Sequence, residues 1–190
     1  PDPAGVEREW EGVLRRLEEA GFAVEPEEPG CLYLDTRGVE RLYGGTEKAL
    51  KRALACAGSQ WDPRAGAAKT RFTALAAASI ARQGQVVLVD EARTHEFLAP
   101  LPLHLMPLPA DRQEELRELG IRRLGDLAAL PEPAVRDRLG AEGRRAWELA
   151  RGAAGLPVAP RTPPLQLHEV LRFPEAVGNE LTLRRAARTA

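Results

Sequence analysis

A glycine closes one helix and another opens within a few residues in the stretch Leu119-Gly120-Ile121-Arg122-Arg123-Leu124-Gly125-Asp126-Leu127. No other part of the chain constrains the fold as tightly. Gly120 suits the left-handed position that ends a helix, and Ile121 anchors the turn. Asp126 is placed to accept the free N–H groups of a helix beginning at Leu127. Two short helices joined this way form a compact unit that often rests on a nucleic-acid backbone. Arg122 and Arg123 lie in the connector, and two readings of them stand: solvated turn residues, or ligands for phosphate.

Upstream, Val6, Trp10, Val13, Leu14 and Leu17 recur at helical spacing and predict an amphipathic helix over 5–20. Strands are expected at 22–24 and 31–35, separated by a Pro29-Gly30 turn. Gly44-Gly45-Thr46 opens a helix whose face carries Leu50, Ala53 and Leu54. A strand over 61–68, an alanine-rich helix from Arg71 to Arg82 and a buried-type strand over 86–89 follow. Asp90 is expected to cap a helix at 91–98. This alternation to about residue 100 points to an α/β or α+β sheet region. Prolines 100, 102, 107 and 109 punctuate a boundary, and 110–152 carries only helical patterns. Four prolines between Gly155 and Pro164 read as a linker. A strand near 167–173 and a basic helix bearing Arg184, Arg185 and Arg188 are expected beyond it.

Composition removes several classes of activity. The net charge of −1 supplies no global attraction for polyanions, so nucleic acid must be met by local basic patches. Of the 27 basic residues only Lys48, Lys51 and Lys69 are lysines. Cys31 and Cys56 are too few for a disulfide framework, as in a reducing cytoplasm. His95, His104 and His168 have no metal-ligand spacing with them. Ser59 and Ser79 lie outside any nucleophile elbow, and no glycine-rich phosphate loop is present. No apolar run reaches the roughly 18 residues that a membrane span requires.

Five segments, in order, resemble the Y-family DNA polymerases, the DinB/UmuC superfamily. Cys31-Leu32-Tyr33-Leu34-Asp35-Thr36-Arg37-Gly38 is similar to the end of the palm-strand motif, and Gly66 to Ala76 to the nucleotide-proximal segment. Phe97 to Pro102 resembles the palm exit, Leu119 to Leu127 the thumb, and Glu169 to Phe173 the first little-finger strand. The resemblance implies an α+β chain. Its parts would be a partial palm over 1–104 (a mixed sheet with flanking helices) and an all-helical thumb with helix-hairpin-helix-like turns over 105–154. A linker over 155–165 and the start of a little finger over 166–190 would complete it. It also implies that palm strands lie before residue 1, leaving an unpaired sheet edge open to self-association or a partner strand.

The departures from that family concern its chemistry. Aligned on Leu34-Asp35, the family's metal-holding Asp-Glu pair falls on Gly30 and Cys31. Such carboxylates hold magnesium, which activates the primer hydroxyl; glycine offers no ligand and a thiol suits magnesium poorly. No catalytic residue, metal ligand or cofactor is therefore expected. Mg²⁺ enters only under the alternative of an active error-prone polymerase, for which Glu27 and Glu28 are the local candidates. Arg71 replaces a phosphate-side lysine and Leu75 a second one. Pro107 and Pro109 occupy the Gly-x-Gly positions of the first thumb turn, and proline has no N–H to offer a phosphate.

This combination most resembles the ImuB branch, whose strand motif and Leu42-Tyr43-Gly44-Gly45-Thr46-Glu47 sequence it shares. That likeness implies a non-catalytic, cytoplasmic DNA-damage-tolerance protein acting in induced (SOS) mutagenesis. It would bind DNA backbone weakly and without sequence preference through Arg71, Gly120, Arg122, Arg123, Gly125, Arg144 and Arg145. It would recruit other translesion-synthesis proteins, with a sliding-clamp motif beyond residue 190.

Overall fold

A computed structural model describes residues 2–153 and 155–163. The strand and basic helix expected over 166–190 lie outside the described residues.

The first helix, α1 (Pro3–Glu19), starts earlier than the apolar pattern indicates because Asp2 caps it, accepting the Ala4 N–H at 3.1 Å. Its Val13, Leu14 and Leu17 are buried. Gly21 turns the chain into β1 (Ala23–Glu28), which pairs antiparallel with β2 (Cys31–Asp35), Val24 standing opposite Leu34. β1 runs well past the expected 22–24: its outer residues are glutamates, so hydrophobic pattern alone ends the strand too soon. A short helix, α2 (Val39–Tyr43), absent from the sequence reading, precedes α3 (Thr46–Ala57). The latter buries Ala49, Leu50, Ala53 and Cys56, with Leu54 half-buried.

The expected strand over 61–68 shortens to β3 (Ala65–Ala67). Ser59–Trp61 forms a 3₁₀ turn and Asp62 adopts φ 45°, a left-handed conformation no strand tolerates. Thr70 caps α4 (Arg71–Ile80), and β4 (Val86–Leu88) runs parallel to β3. Asp90 caps as expected, accepting the Ala92 N–H at 2.9 Å, but it opens a 3₁₀ turn (Glu91–Arg93) leading into a shorter α5 (Thr94–Leu98). The chain is thus α+β, with its four described strands in two separate ladders, β1–β2 and β3–β4, rather than one mixed sheet.

The remainder is helical: α6 (Ala110–Glu118), α7 (Leu124–Ala128) and α8 (Glu132–Ala150), the last broken at Gly140 (φ 67°, ψ −151°). One core joins α1, the hairpin and α3 through Val13, Leu17, Phe22, Val24 and Ala53. A second runs from Phe72 and Ala76 on α4 through Leu98, Leu101 and Leu103 to Leu116, Leu124, Leu127 and Ala146. Apolar packing is therefore continuous across residues 104 and 105. None of the described helices is long and apolar enough to cross a membrane.

Gly66 lets β3 lie directly on α4. A Cβ there would stand 2.2 Å from the Ala74 carbonyl oxygen and 2.4 Å from the Ala78 nitrogen, both backbone atoms of the helix. Gly66→Ala must push strand and helix apart, and overpacking of this kind costs about 1–3 kcal/mol. The urea midpoint of the variant is expected to fall accordingly, with the slope unchanged.

Candidate nucleic-acid interface

The hairpin between α6 and α7 is built by using every backbone donor it has. Gly120 (φ 82°) donates to Arg117 at 2.9 Å, and Ile121 to Leu116 at 3.0 Å, closing α6. The N–H groups of Arg122 and Arg123 both reach the Asp126 carboxylate, at 3.0 and 2.9 Å. Leu124 and Gly125 donate to the Leu101 and Ala99 carbonyls at 2.9 and 3.0 Å. Asp126 completes the run by donating to the Arg123 carbonyl at 3.1 Å.

Asp126 is therefore not the cap of a helix beginning at Leu127. The helix begins at Leu124, and Asp126 sits in its first turn, reaching back over the connector. The two glycines also have structural duties. A Cβ on Gly125 would lie 2.8 Å from the Ala99 carbonyl oxygen, so this glycine permits contact with the chain leaving α5. Neither glycine has an N–H left for a phosphate. Arg122 and Arg123 point their side chains into solvent and form no ion pair among the described residues. What the hairpin presents outward is two guanidinium groups.

The other basic residues divide into committed and available ones. Arg144 is held between Glu132 at 3.3 Å and Glu148 at 3.1 Å. Arg145 is exposed and lines a notch of about 110 Å³ with Pro107, Pro109 and Glu142. Arg71 points inward to the β1–β2 hairpin. It pairs with Glu25 at 2.9 Å and lies 4.0 Å above the centre of the Tyr33 ring, with about a quarter of its side chain exposed.

Cys31 and Tyr33 occupy one face of β2, two residues apart. The Cys31 thiol donates to Glu27 at 3.5 Å. Burial, that hydrogen bond and the Glu27 charge push the thiol up to about 11, so it is protonated at neutral pH. The same face raises Tyr33 to about 12, by burial first and the Glu27 charge second. Among the described residues no group of three His, Cys, Asp or Glu side chains converges as a metal cage would require. Glu25 and Tyr33 escaped the sequence reading. Tyr33 was legible as an alternate residue of the Cys31 strand, but nothing local announces that an arginine 38 positions later will cover it.

Protein ImuB of Caulobacter vibrioides is 30% identical to this chain over 160 residues, which cover 84% of this chain and 34% of that protein. DNA polymerase IV of the same species is 26% identical over 156 residues, covering 80% of this chain and 39% of the relative. A DinB family error-prone DNA polymerase from Sulfolobus solfataricus superimposes with a TM-score of 0.65 at 19% identity, over 82% of this chain and 47% of that one. The chain is a relative of the Y-family DNA polymerases. No family model matches it, and it spans less than half the length of these proteins.

Gly30 has φ 98° in the β1–β2 turn, a conformation that side chains bearing a Cβ rarely adopt. Open space surrounds the position, so what a side chain there would meet is backbone strain and not a clash. Glu27 and Glu28 end β1 with exposed side chains.

The connector offers a direct test. The N–H groups of Arg122 and then Arg123 hold the Asp126 carboxyl below the ordinary carboxylate range. A depressed folded-state value adds stability above the unfolded pKa and loses it as pH falls through the folded one. Asp126→Ala is therefore expected to cost about 1 kcal/mol at neutral pH and much less near pH 2. Urea midpoints of the two proteins at both pH values check this.

Proposed function

We propose that this chain is part of an ImuB-like, non-catalytic Y-family protein that takes part in DNA-damage tolerance by resting on DNA backbone and recruiting partners. The observation that carries the reading is position 30, a glycine in a left-handed turn where the aligned motif has a carboxylate. Beside it Cys31 is a protonated thiol. A magnesium centre needs hard oxygen ligands, and neither position supplies one.

In this reading residues 1–104 are a partial palm, 105–154 a thumb, 155–165 the connection and 166–190 the opening of a little finger. The protein works in the cytoplasm in damage-induced mutagenesis, and clamp contacts come from outside this chain. DNA contact falls to the side chains of Arg122 and Arg123, with Arg145 and, by exchange of its exposed ion pairs, Arg144. Such pairs are worth little in water, so a phosphate competes for Arg144 readily. Arg71 contributes only if it leaves Glu25 and Tyr33.

Binding through phosphates is sequence-independent and weakens steeply with salt. Arg122→Ala with Arg123→Ala is expected to weaken duplex binding for any sequence. It should also flatten the log–log salt dependence by about 2, from roughly 0.9 per phosphate contact. Fluorescence anisotropy with labelled duplex across a salt series measures both. Binding indifferent to salt and to these substitutions would remove the thumb from the DNA contact. Mg²⁺-dependent primer extension by the full-length protein, abolished by Glu27→Gln with Glu28→Gln, would replace this reading with an active polymerase.

A further inference from the structure

The proline-rich stretch after α8 does not behave as a free linker in the described residues. Residues 155–163 return across the opposite half of the molecule and bond to α1 and β1. The Arg161 N–H donates to the Val24 carbonyl at 2.8 Å. Its guanidinium fills the space between two carboxylates of α1. Nε and Nη2 reach Glu18 at 2.7 and 3.1 Å, while Nη1 and Nη2 reach Glu11 at 2.7 and 3.0 Å. Two residues earlier, the Ala159 N–H donates to Glu25 Oε2 at 2.6 Å.

The arrangement has the character of a built contact. Glu11 and Glu18 are seven residues apart and so share one face of α1. Two carboxylates drawn to one point would repel without a cation between them, and arginine's planar fork satisfies both at once. The Arg161 and Glu18 side chains are only 21% and 11% exposed, so water screens this pair less than an ordinary surface bridge. Glu11 is held below the usual carboxylate range, first by the Arg161 hydrogen bonds. Glu25 serves both sides of the site: Oε1 takes Arg71 and Oε2 takes the Ala159 N–H.

We propose that residues 155–163 are a docked strap, clamped by Arg161 between Glu11 and Glu18 and tied to Val24 and Glu25, which sets the point from which the chain continues beyond residue 163. A strap of this kind replaces the many directions open to a flexible linker by one. Glu25 makes its seating sensitive to whether Arg71 remains on the β1–β2 hairpin.

Residue-resolved amide hydrogen exchange on the 190-residue chain tests the strap. The Arg161 and Ala159 amides are expected to exchange about tenfold or more slowly than their unstructured rates, while exposed Leu156 serves as a reference close to its own. Glu11→Gln with Glu18→Gln should remove that protection and leave α4 to α8 unaltered. Unprotected Arg161 in the unsubstituted chain overturns the strap, and so does protection that survives the double substitution. If the double variant loses protection throughout, Arg161→Lys decides. Lysine keeps the charge without the fork, so a severalfold faster Ala159 exchange supports the clamp and an unchanged rate overturns it.

Discussion

The helical half depends on a short exchange of backbone hydrogen bonds between the chain leaving α5 and the start of α7. Leu124 and Gly125 donate to Leu101 and Ala99, and Leu103 donates back to the Arg122 carbonyl at 2.9 Å. The first N–H groups of a helix have no partner of their own. Here neighbouring carbonyls supply them, so the helix start is welded to the preceding loop. Leu98, Leu101, Leu103, Leu124 and Leu127 consequently bury against one another, and the same core continues to Phe72 and Ala76 on α4. Helical module and sheet-bearing half are thereby joined through apolar packing.

That economy has a consequence for recognition. A hairpin whose N–H groups are all engaged internally has only its side chains to offer a polyanion. Arg122 and Arg123 are exposed because Ile121 and Leu124 on either side of them are buried and fix the turn. On the other half the situation is reversed. Glu25 and the Tyr33 ring hold Arg71 between α4 and the β1–β2 hairpin, and the Cys31 thiol donates to Glu27 beside them. Among the described residues the hairpin thus holds two exposed guanidinium groups outside any ion pair, while Arg71 is engaged by Glu25 and Tyr33.

Much of this was legible in local pattern. The spacing of Val13, Leu14 and Leu17 located α1, and Gly120 marked the end of α6. Cys31 to Asp35 read correctly as a strand. The misses have separate causes. Glutamates hid the outer part of β1, because a strand exposed on one face need not be apolar. Asp62 and Pro63 truncated β3 through backbone geometry that composition does not announce. Asp126 was recognised as a helix-start residue but set against the wrong helix turn, since an aspartate can cap from the first turn as well as from before it. The prolines after Gly155 gave no sign that Arg161 would find its partners on α1, some 143 and 150 positions away.

The sequence by itself determined the alternation of helices and strands, the position of the helical hairpin and the Pro29-Gly30 turn ahead of the Cys31 strand. These follow from local periodicity, turn chemistry and side-chain identity, which need no distant partner. Only the tertiary structure decided which arginines remain available, because an arginine's role depends on the carboxylate or ring that reaches it. Arg71 and Arg161 were drawn into ion pairs by residues far away in the chain. Arg122 and Arg123 were left in solvent by a turn whose every backbone donor is spent on holding itself together.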